Sequence, residues 1–260
     1  MNHNCPYLEM QCQNLKCDCP KYKAYIDAKN PEIFRRVMEE NKFDVTLPAF
    51  DLLMKMQYSF ASRVRKVDNL SKEEKDKWID RYLVCIEDEI REVREHLNLY
   101  GEENTKKEDQ NLELKKEVID ILHFMMELFL VGGANQDTIK NYYSAMYGSE
   151  LNGDLIDVAY AEQKNFIDEY LDCEYDKYDI AVLKASCRLS DSCALVRQQI
   201  SWKHWKKPNA QIDYEKLYSA FAKLFHEFIN LCILTMEVNE VKDIYINKNV
   251  ENILRQEYGY

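Results

Sequence analysis

The chain has 260 residues, enough for one large domain or two small ones, and its 46% apolar content can supply a sizeable core. With 35 basic against 46 acidic residues the net charge is −11, and no basic tail or stripe offsets it, so long-range electrostatics disfavour nucleic acid and anionic membrane as partners. No apolar run reaches the roughly 18 residues of a membrane span, and residues 1–20 lack a secretory pattern; the expectation is a soluble intracellular protein, cytoplasmic or nuclear.

The N-terminal stretch "CPYLEMQCQNLKCDCP" gathers Cys5, Cys12, Cys17 and Cys19. Thiolates are zinc ligands, but the spacing matches no ordinary zinc ribbon, and structural zinc, another metal or redox role, and no metal all stay open. The other five cysteines sit in helical or apolar contexts and read as thiols, mostly buried. Only six glycines and five prolines occur, and long stretches carry three- and four-residue periodicity, which predicts an all-α fold. Helices are expected near 30–40, 47–67, 71–98, 111–131, 136–147, 160–170, 178–200, 212–236 and 238–256. Charged or turn-rich connectors fall at 101–111 and 206–213. This divides the chain into an N-terminal cysteine-containing extension, 1–46, and an all-α domain, 47–260.

Within the helix near 71–98, Glu89 and Glu92 stand three apart; within the helix near 111–131, Glu117 and Asp120 do the same. Three-residue spacing places both carboxylates of each pair on nearly one helical face, beside the apolar residues Ile90, Val93, Val118 and Ile121. Like charges so placed repel by about 0.2–0.5 kcal/mol on an exposed helix and by much more in a shared dry cleft. A divalent cation would offset that repulsion, and all-carboxylate ligands suit Mg²⁺ or Mn²⁺; the alternative is a solvated acidic face. His123, on the apolar side, reads as a core histidine or as an orienting partner of a carboxylate.

A shift of 103 residues superposes the acidic pair of helices on the helices near 178–200 and 212–236. Glu89, Glu92, Glu117 and Asp120 then fall on Ser192, Leu195, Ala220 and Lys223, while His123 falls on His226 and Leu128 on Leu231. The packing pattern recurs and the acids do not, which predicts a degenerate duplication with halves 47–150 and 151–260 and one composite site. The same shift pairs Tyr245 with Tyr142, Lys248 with Ala145 and Asn249 with Met146. In the last helix, Lys248, Asn252 and Arg255 share a face of cationic and amide donors suited to phosphate and an oxygenated sugar or base.

"EDEIREVREHLN" followed by "ELKKEVIDILHFMMEL" resembles the carboxylate helices of the all-α, MazG-like nucleoside triphosphate pyrophosphatases. The closing "YINKNVENILRQEYGY" resembles the C-terminal motif of their dimeric dUTPase branch. The resemblance implies an antiparallel helical bundle in which Glu89, Glu92, Glu117 and Asp120 bind Mg²⁺. It implies that Lys248, Arg255 and Tyr260 contact phosphate and that Asn249 or Asn252 contacts the nucleoside. Gln57 matches the family's early glutamine, but Phe60 and Ala61 stand where an asparagine is expected, so the implied preference for uracil over cytosine stays open. The family's aromatic-basic stretch looks like "WKHWK" at 202–206, displaced to the acid-free half; Trp202 and Trp205 either stack on a base or pack between halves.

The activity so implied is Mg²⁺-dependent hydrolysis of dUTP to dUMP and pyrophosphate, with Glu92 orienting and deprotonating water, and with dUDP as a second substrate. A dCTP-preferring or broader pyrimidine pyrophosphatase is the enzymatic alternative, and a non-enzymatic helical interaction protein is the other. Four intact acids argue against a retired site, because their counterparts have lost all four. The branch resemblance points to a homodimer; the residues themselves leave association open.

Overall fold

A computed structural model describes residues 20–97, 108–148, 150–171, 178–200 and 211–259. Among them the chain is helical without strands: α1 (Pro20–Ala28), α2 (Pro31–Glu40), α3 (Ala49–Val64), α4 (Lys72–Glu95), α5 (Glu108–Gly132), α6 (Gln136–Tyr147), α7 (Leu155–Leu171), α8 (Tyr178–Arg197), α9 (Tyr214–Thr235) and α10 (Val238–Glu257). Local chemistry sets several starts. Ser71 and Glu74 close a capping box on α4, and the Asn135 and Asp213 side chains accept from backbone N–H groups in the first turns of α6 and α9. Asp154 caps two helices at once, accepting from Phe50 N at 2.9 Å and Ile156 N at 3.0 Å, and so pins the start of α3 to that of α7.

The helices pack as an antiparallel bundle in which α4 lies on α5, α8 on α9, and α4 on α8, with α10 against α1, α3 and α5. Ile86, Ile90, Val118, Leu122, Phe225 and Phe228 are buried in one continuous apolar core. Burial of such side chains is worth about 1.5–3 kcal/mol each and dominates the packing. Where α5 meets α9, a Cβ on Gly132 would lie 2.5 Å from Phe221 Cε2, so only glycine lets that ring approach.

Several side-chain contacts within and between the four-helix sets α3–α6 and α7–α10 come in matching pairs, in keeping with the expected duplication. Gln57 accepts from the Tyr245 hydroxyl across α3 and α10 at 2.8 Å, and Gln163 bonds the Tyr143 hydroxyl across α7 and α6. His123 stacks on Tyr245 with ring centroids 4.0 Å apart, and His226 lies 6.1 Å from Tyr143. Arg94 of α4 reaches Ser186 on α8 at 2.9 Å, while its counterpart at +103, Arg197, reaches Asp80 on α4 at 2.9 Å. These contacts align Tyr245 with Tyr143, not Tyr142, so α10 follows α6 by 102 residues and Lys248 corresponds to Met146. The cause is local: residues 133–135 link α5 to α6, whereas 236–237 suffice to link α9 to α10.

Further departures from expectation are confined to helix ends and to one added helix. The α1 segment PKYKAYIDA buries only Ala24 and Ala28, too small a signal to announce a helix; tertiary contact holds it, with Tyr258 donating to Asp27 at 2.7 Å. The α5 helix begins at 108, inside the expected 101–111 connector, and α7 begins at 155 because Asp154 caps it. Residues Val37, Met38 and Phe43 join the same core as the helices beyond 47. Among the described residues α9 alone is long and apolar enough to cross a membrane, and 61% of its apolar window is buried inside the bundle. The described thiols Cys85, Cys187, Cys193 and Cys232 are free.

Candidate metal centre

The site grows from the α4–α5 pair. Ile90 and Val93 on α4, and Val118 and Ile121 on α5, bury one stripe of each helix. The three-residue offset then brings the acids to the rim of that contact. Glu89, Glu117 and Asp120 each offer an oxygen within 4.8 Å of the others. Glu92 lies beside this group rather than in it; its side chain is 43% exposed, against 18% for Glu117 and 24% for Asp120. The Glu92 carboxylate lies 3.5 Å from Arg91.

Burial and crowding both show in the acidity of Glu89 and Glu117. Burial, reinforced by the charges of Asp120, Glu92 and Glu117, pushes the Glu89 carboxyl up to about 8. Burial likewise raises Glu117 to about 7, against the lowering pull of Lys248, with Asp120, Glu92 and Glu113 adding to the rise. Lys248 from α10 forms an ion pair with Asp120 and donates to the Lys116 carbonyl at 3.2 Å. The chain thus already turns one ammonium toward an acid group that repels itself. Three clustered carboxylates, with hard oxygen donors only, fit a divalent cation of the Mg²⁺ or Mn²⁺ kind. Glu89, Glu117 and Asp120 would hold it.

His123 is buried, with Nδ1 3.0 Å from the Ile119 carbonyl and 3.7 Å from Asp120 Oδ1. Burial drags it down to about 4, against the raising effect of Asp120, so the ring is neutral near pH 7 and its Nδ1–H donates to Ile119. It packs on Tyr245 and backs Asp120, in keeping with a core histidine that borders the acids.

The residues matched to nucleoside recognition meet behind this cluster. Gln57 and Asn249 are buried and joined, Asn249 Nδ2 donating to Gln57 Oε1 at 3.4 Å. Gln57 Nε2 donates to Glu127 at 2.9 Å, and Glu127 forms a buried ion pair with Arg65. Asn252 and Arg255 are engaged with each other at 3.3 Å, and Arg255 also pairs with Glu251 one turn earlier, so these contacts run along α10 rather than to the acids. Tyr260, Trp202, Trp205 and the four N-terminal cysteines Cys5, Cys12, Cys17 and Cys19 lie outside the described residues.

A family model described as dUTPase matches residues 49–260. The chain belongs to the dUTPase family. No curated protein and no solved structure matches it. Family membership and the acidic cluster together support metal-dependent nucleotide pyrophosphatase chemistry in general, on an all-α scaffold and with a nucleotide as substrate.

Three further residues extend these contacts. His96 Nε2 lies 4.0 Å from Glu117; its position four residues after Glu92, on the same helical face, was an available signal. Glu127 is a single carboxylate within the apolar run "HFMMELFL", another available signal. Arg65, at the end of α3, had none, because its partner is 62 residues away.

Proposed function

We propose that the protein hydrolyses dUTP to dUMP and pyrophosphate with Mg²⁺, and dUDP to dUMP and phosphate, as the dimeric, MazG-like branch of all-α pyrophosphatases would. The observation that carries the reading is the juxtaposition of Glu89, Glu117 and Asp120 with Lys248: three metal-grade carboxylates bordered by an ammonium from the other half of the chain. Bound Mg²⁺ would supply neutralisation of phosphate oxygens and a lower pKa for coordinated water.

The chain's own residues divide the remaining work. Glu92, more open to solvent than Glu117 and Asp120, accepts a proton from the attacking water and aims it at a phosphorus of the α–β linkage. A water oxygen–phosphorus bond forms as the α–β bridge breaks, and the bridging oxygen departs with the electron pair on the phosphate that was not attacked, giving dUMP and pyrophosphate. Lys248 exchanges its Asp120 contact for a phosphate oxygen, while Arg255 and Tyr260 bind phosphate from farther along the chain. Gln57, Asn249 and Asn252 form the nucleoside side. The same reading takes two chains to associate.

A second reading, preference for dCTP or for pyrimidines broadly, is favoured by one observation: Phe60 and a fully buried Ala61 stand where the family asparagine would be. One experiment separates the two. Pyrophosphate release is measured with dUTP, dCTP and the other deoxynucleoside triphosphates across a Mg²⁺ titration, and phosphate release with dUDP. The proposal expects turnover that requires Mg²⁺ and is highest with dUTP. Turnover highest with dCTP would support the second reading, and no hydrolysis of any nucleotide would refute both.

A further inference from the structure

A line of fixed hydrogen-bond directions runs through the interior from Arg65 to Asn249. Arg65 and Glu127 form an ion pair in which each side chain is 5% exposed. Arg65 also donates to the Tyr82 hydroxyl at 2.7 Å, and its guanidinium lies 5.2 Å from the Trp78 ring centroid. Beside that cation Glu127 is a carboxylate, which accepts and cannot donate. Gln57 must therefore turn its amide nitrogen toward Glu127, at 2.9 Å, and its amide oxygen away. That oxygen accepts from the Tyr245 hydroxyl at 2.8 Å and from Asn249 Nδ2 at 3.4 Å. Asn249 is wholly buried, its nitrogen is committed to Gln57, and its Oδ1 has no hydrogen-bond partner among the described residues.

The end of this line sits next to the metal centre. Asn249 follows Lys248, which pairs with Asp120, and Tyr245 one turn earlier stacks on His123. We propose that Arg65 and Glu127 are positioning residues of the nucleoside subsite: they fix Asn249 as a hydrogen-bond acceptor and so select a base edge that donates N–H, as uracil does at N3. Cytosine presents a bare lone pair at N3, and two facing acceptors repel. The inference deepens the dUTP reading and rests on it. Polarity is passed along the line because reversing any one amide would set donor against donor or acceptor against acceptor in a dry interior. It also gives this chain a route to base selection that does not need the absent asparagine at 60 or 61.

The test uses the full-length protein and the variant Glu127→Gln, which keeps size and shape but can donate as well as accept, releasing Gln57 and hence Asn249 to reverse. The expected result is a rise of roughly tenfold or more in KM for dUTP, with kcat changed by no more than about threefold, and a loss of roughly tenfold or more in the dUTP-over-dCTP ratio of kcat/KM. Arg65→Lys retains the carboxylate acceptor and its counter-charge; it should lower thermal stability and leave that ratio near the unmodified value. An unchanged ratio in Glu127→Gln, or equal loss of ratio in both variants in step with their stability, would overturn the proposal and leave the pair a structural role only. If Glu127→Gln does not fold, the unmodified protein gives the answer through calorimetric binding of dUMP against its N3-methyl derivative. Weakening by roughly tenfold or more is expected, and equal affinity overturns the proposal. Failure of the underlying hydrolase reading looks different: no turnover of any nucleotide, whatever dUMP binding shows.

Discussion

The α4–α5 and α8–α9 pairs are both closely packed, yet among the described residues only α4–α5 gathers a group of carboxylates that could hold a metal. Their packed positions match in kind: buried His123 and half-buried His226 each lie against a tyrosine of the other four-helix set, and Leu128 and Leu231 are both fully buried. Their rim positions do not. Glu92, Glu117 and Asp120 are answered by Leu195, Ala220 and Lys223, and Lys248 by Met146; those four replacements line one open groove. Leu195 and Met146 are 41% and 40% exposed, so apolar side chains stand in the second groove at the places of Glu92 and Lys248. Lys223 turns inward to pair with the buried Glu227 at 2.5 Å rather than facing a carboxylate cluster. The comparison teaches that packing fixes where a site sits, and a handful of half-buried rim residues decides whether it has chemistry.

The largest effect that sharpens this comparison comes from exchanging one residue at equivalent positions. Glu117→Gln should reduce dUTP hydrolysis at saturating substrate by about 100-fold or more, since it removes a charge from the centre of the cluster. Ala220→Glu, at the matching place on α9, should change the rate by less than about twofold. Pyrophosphate release across a Mg²⁺ titration reads both; equal effects would erase the distinction between halves.

A smaller effect is expected in the pH dependence of stability. Glu89 and Glu117 sit at about 8 and about 7, above the ordinary carboxyl value of 4.5. A carboxyl raised on folding contributes stability that is complete below the unfolded value and is lost as pH rises through the folded one. Between about pH 4.5 and 8, chelator-treated protein should therefore lose stability from these two groups, and Glu89→Gln should be spared part of that loss. Mg²⁺ should remove the trend by pairing with the ionised forms. Melting temperatures at pH 5 and pH 8, with and without Mg²⁺, check the sign. Ser192→Ala, at the place of Glu89 in the other half, should leave the slope unaltered.

The smallest effect concerns the reciprocal arginines. Arg197 meets two carboxylates on α4, Asp80 at 2.9 Å and Glu87 at 3.2 Å, whereas Arg94 meets a hydroxyl and a thiol on α8. Both sites are partly solvated, so each substitution to Met should cost about 1 kcal/mol or less, Arg197→Met the more. Urea denaturation would show it, and a larger loss for Arg94→Met would contradict the assignment of Arg197 as the stronger tie.

What the sequence made legible was what repeats along a helix. The acids at 89, 92, 117 and 120 declare themselves because three-residue spacing is a local property, and the 103-residue shift between α4–α5 and α8–α9 is visible because both pairs carry the same helical periodicity. The register of α10 was misread by one residue because a two-residue linker replaces a three-residue one, a difference that leaves no periodic trace. Lys248 was readable as a donor, but its Asp120 partner was not, and Arg255 turned out to face Glu251 within its own helix. The buried line from Arg65 through Glu127 and Gln57 to Asn249 is invisible for a simpler reason: it alternates between α3 with its C-cap, α5 and α10, and each of its bonds joins residues far apart in sequence.

The proposed site draws on both halves, its acids from α4 and α5 and its ammonium from α10. Calorimetric titration of a non-hydrolysable dUTP analogue with Mg²⁺ into the unmodified protein and Lys248→Ala tests it most directly, with circular dichroism verifying that the variant remains helical. Loss of a charge-assisted phosphate contact should weaken binding by about 10–150-fold, while Met146→Ala, the matching change on α6, should leave affinity within about twofold. Equal affinity in Lys248→Ala and the unmodified protein would put α10 outside the site and contradict the composite arrangement.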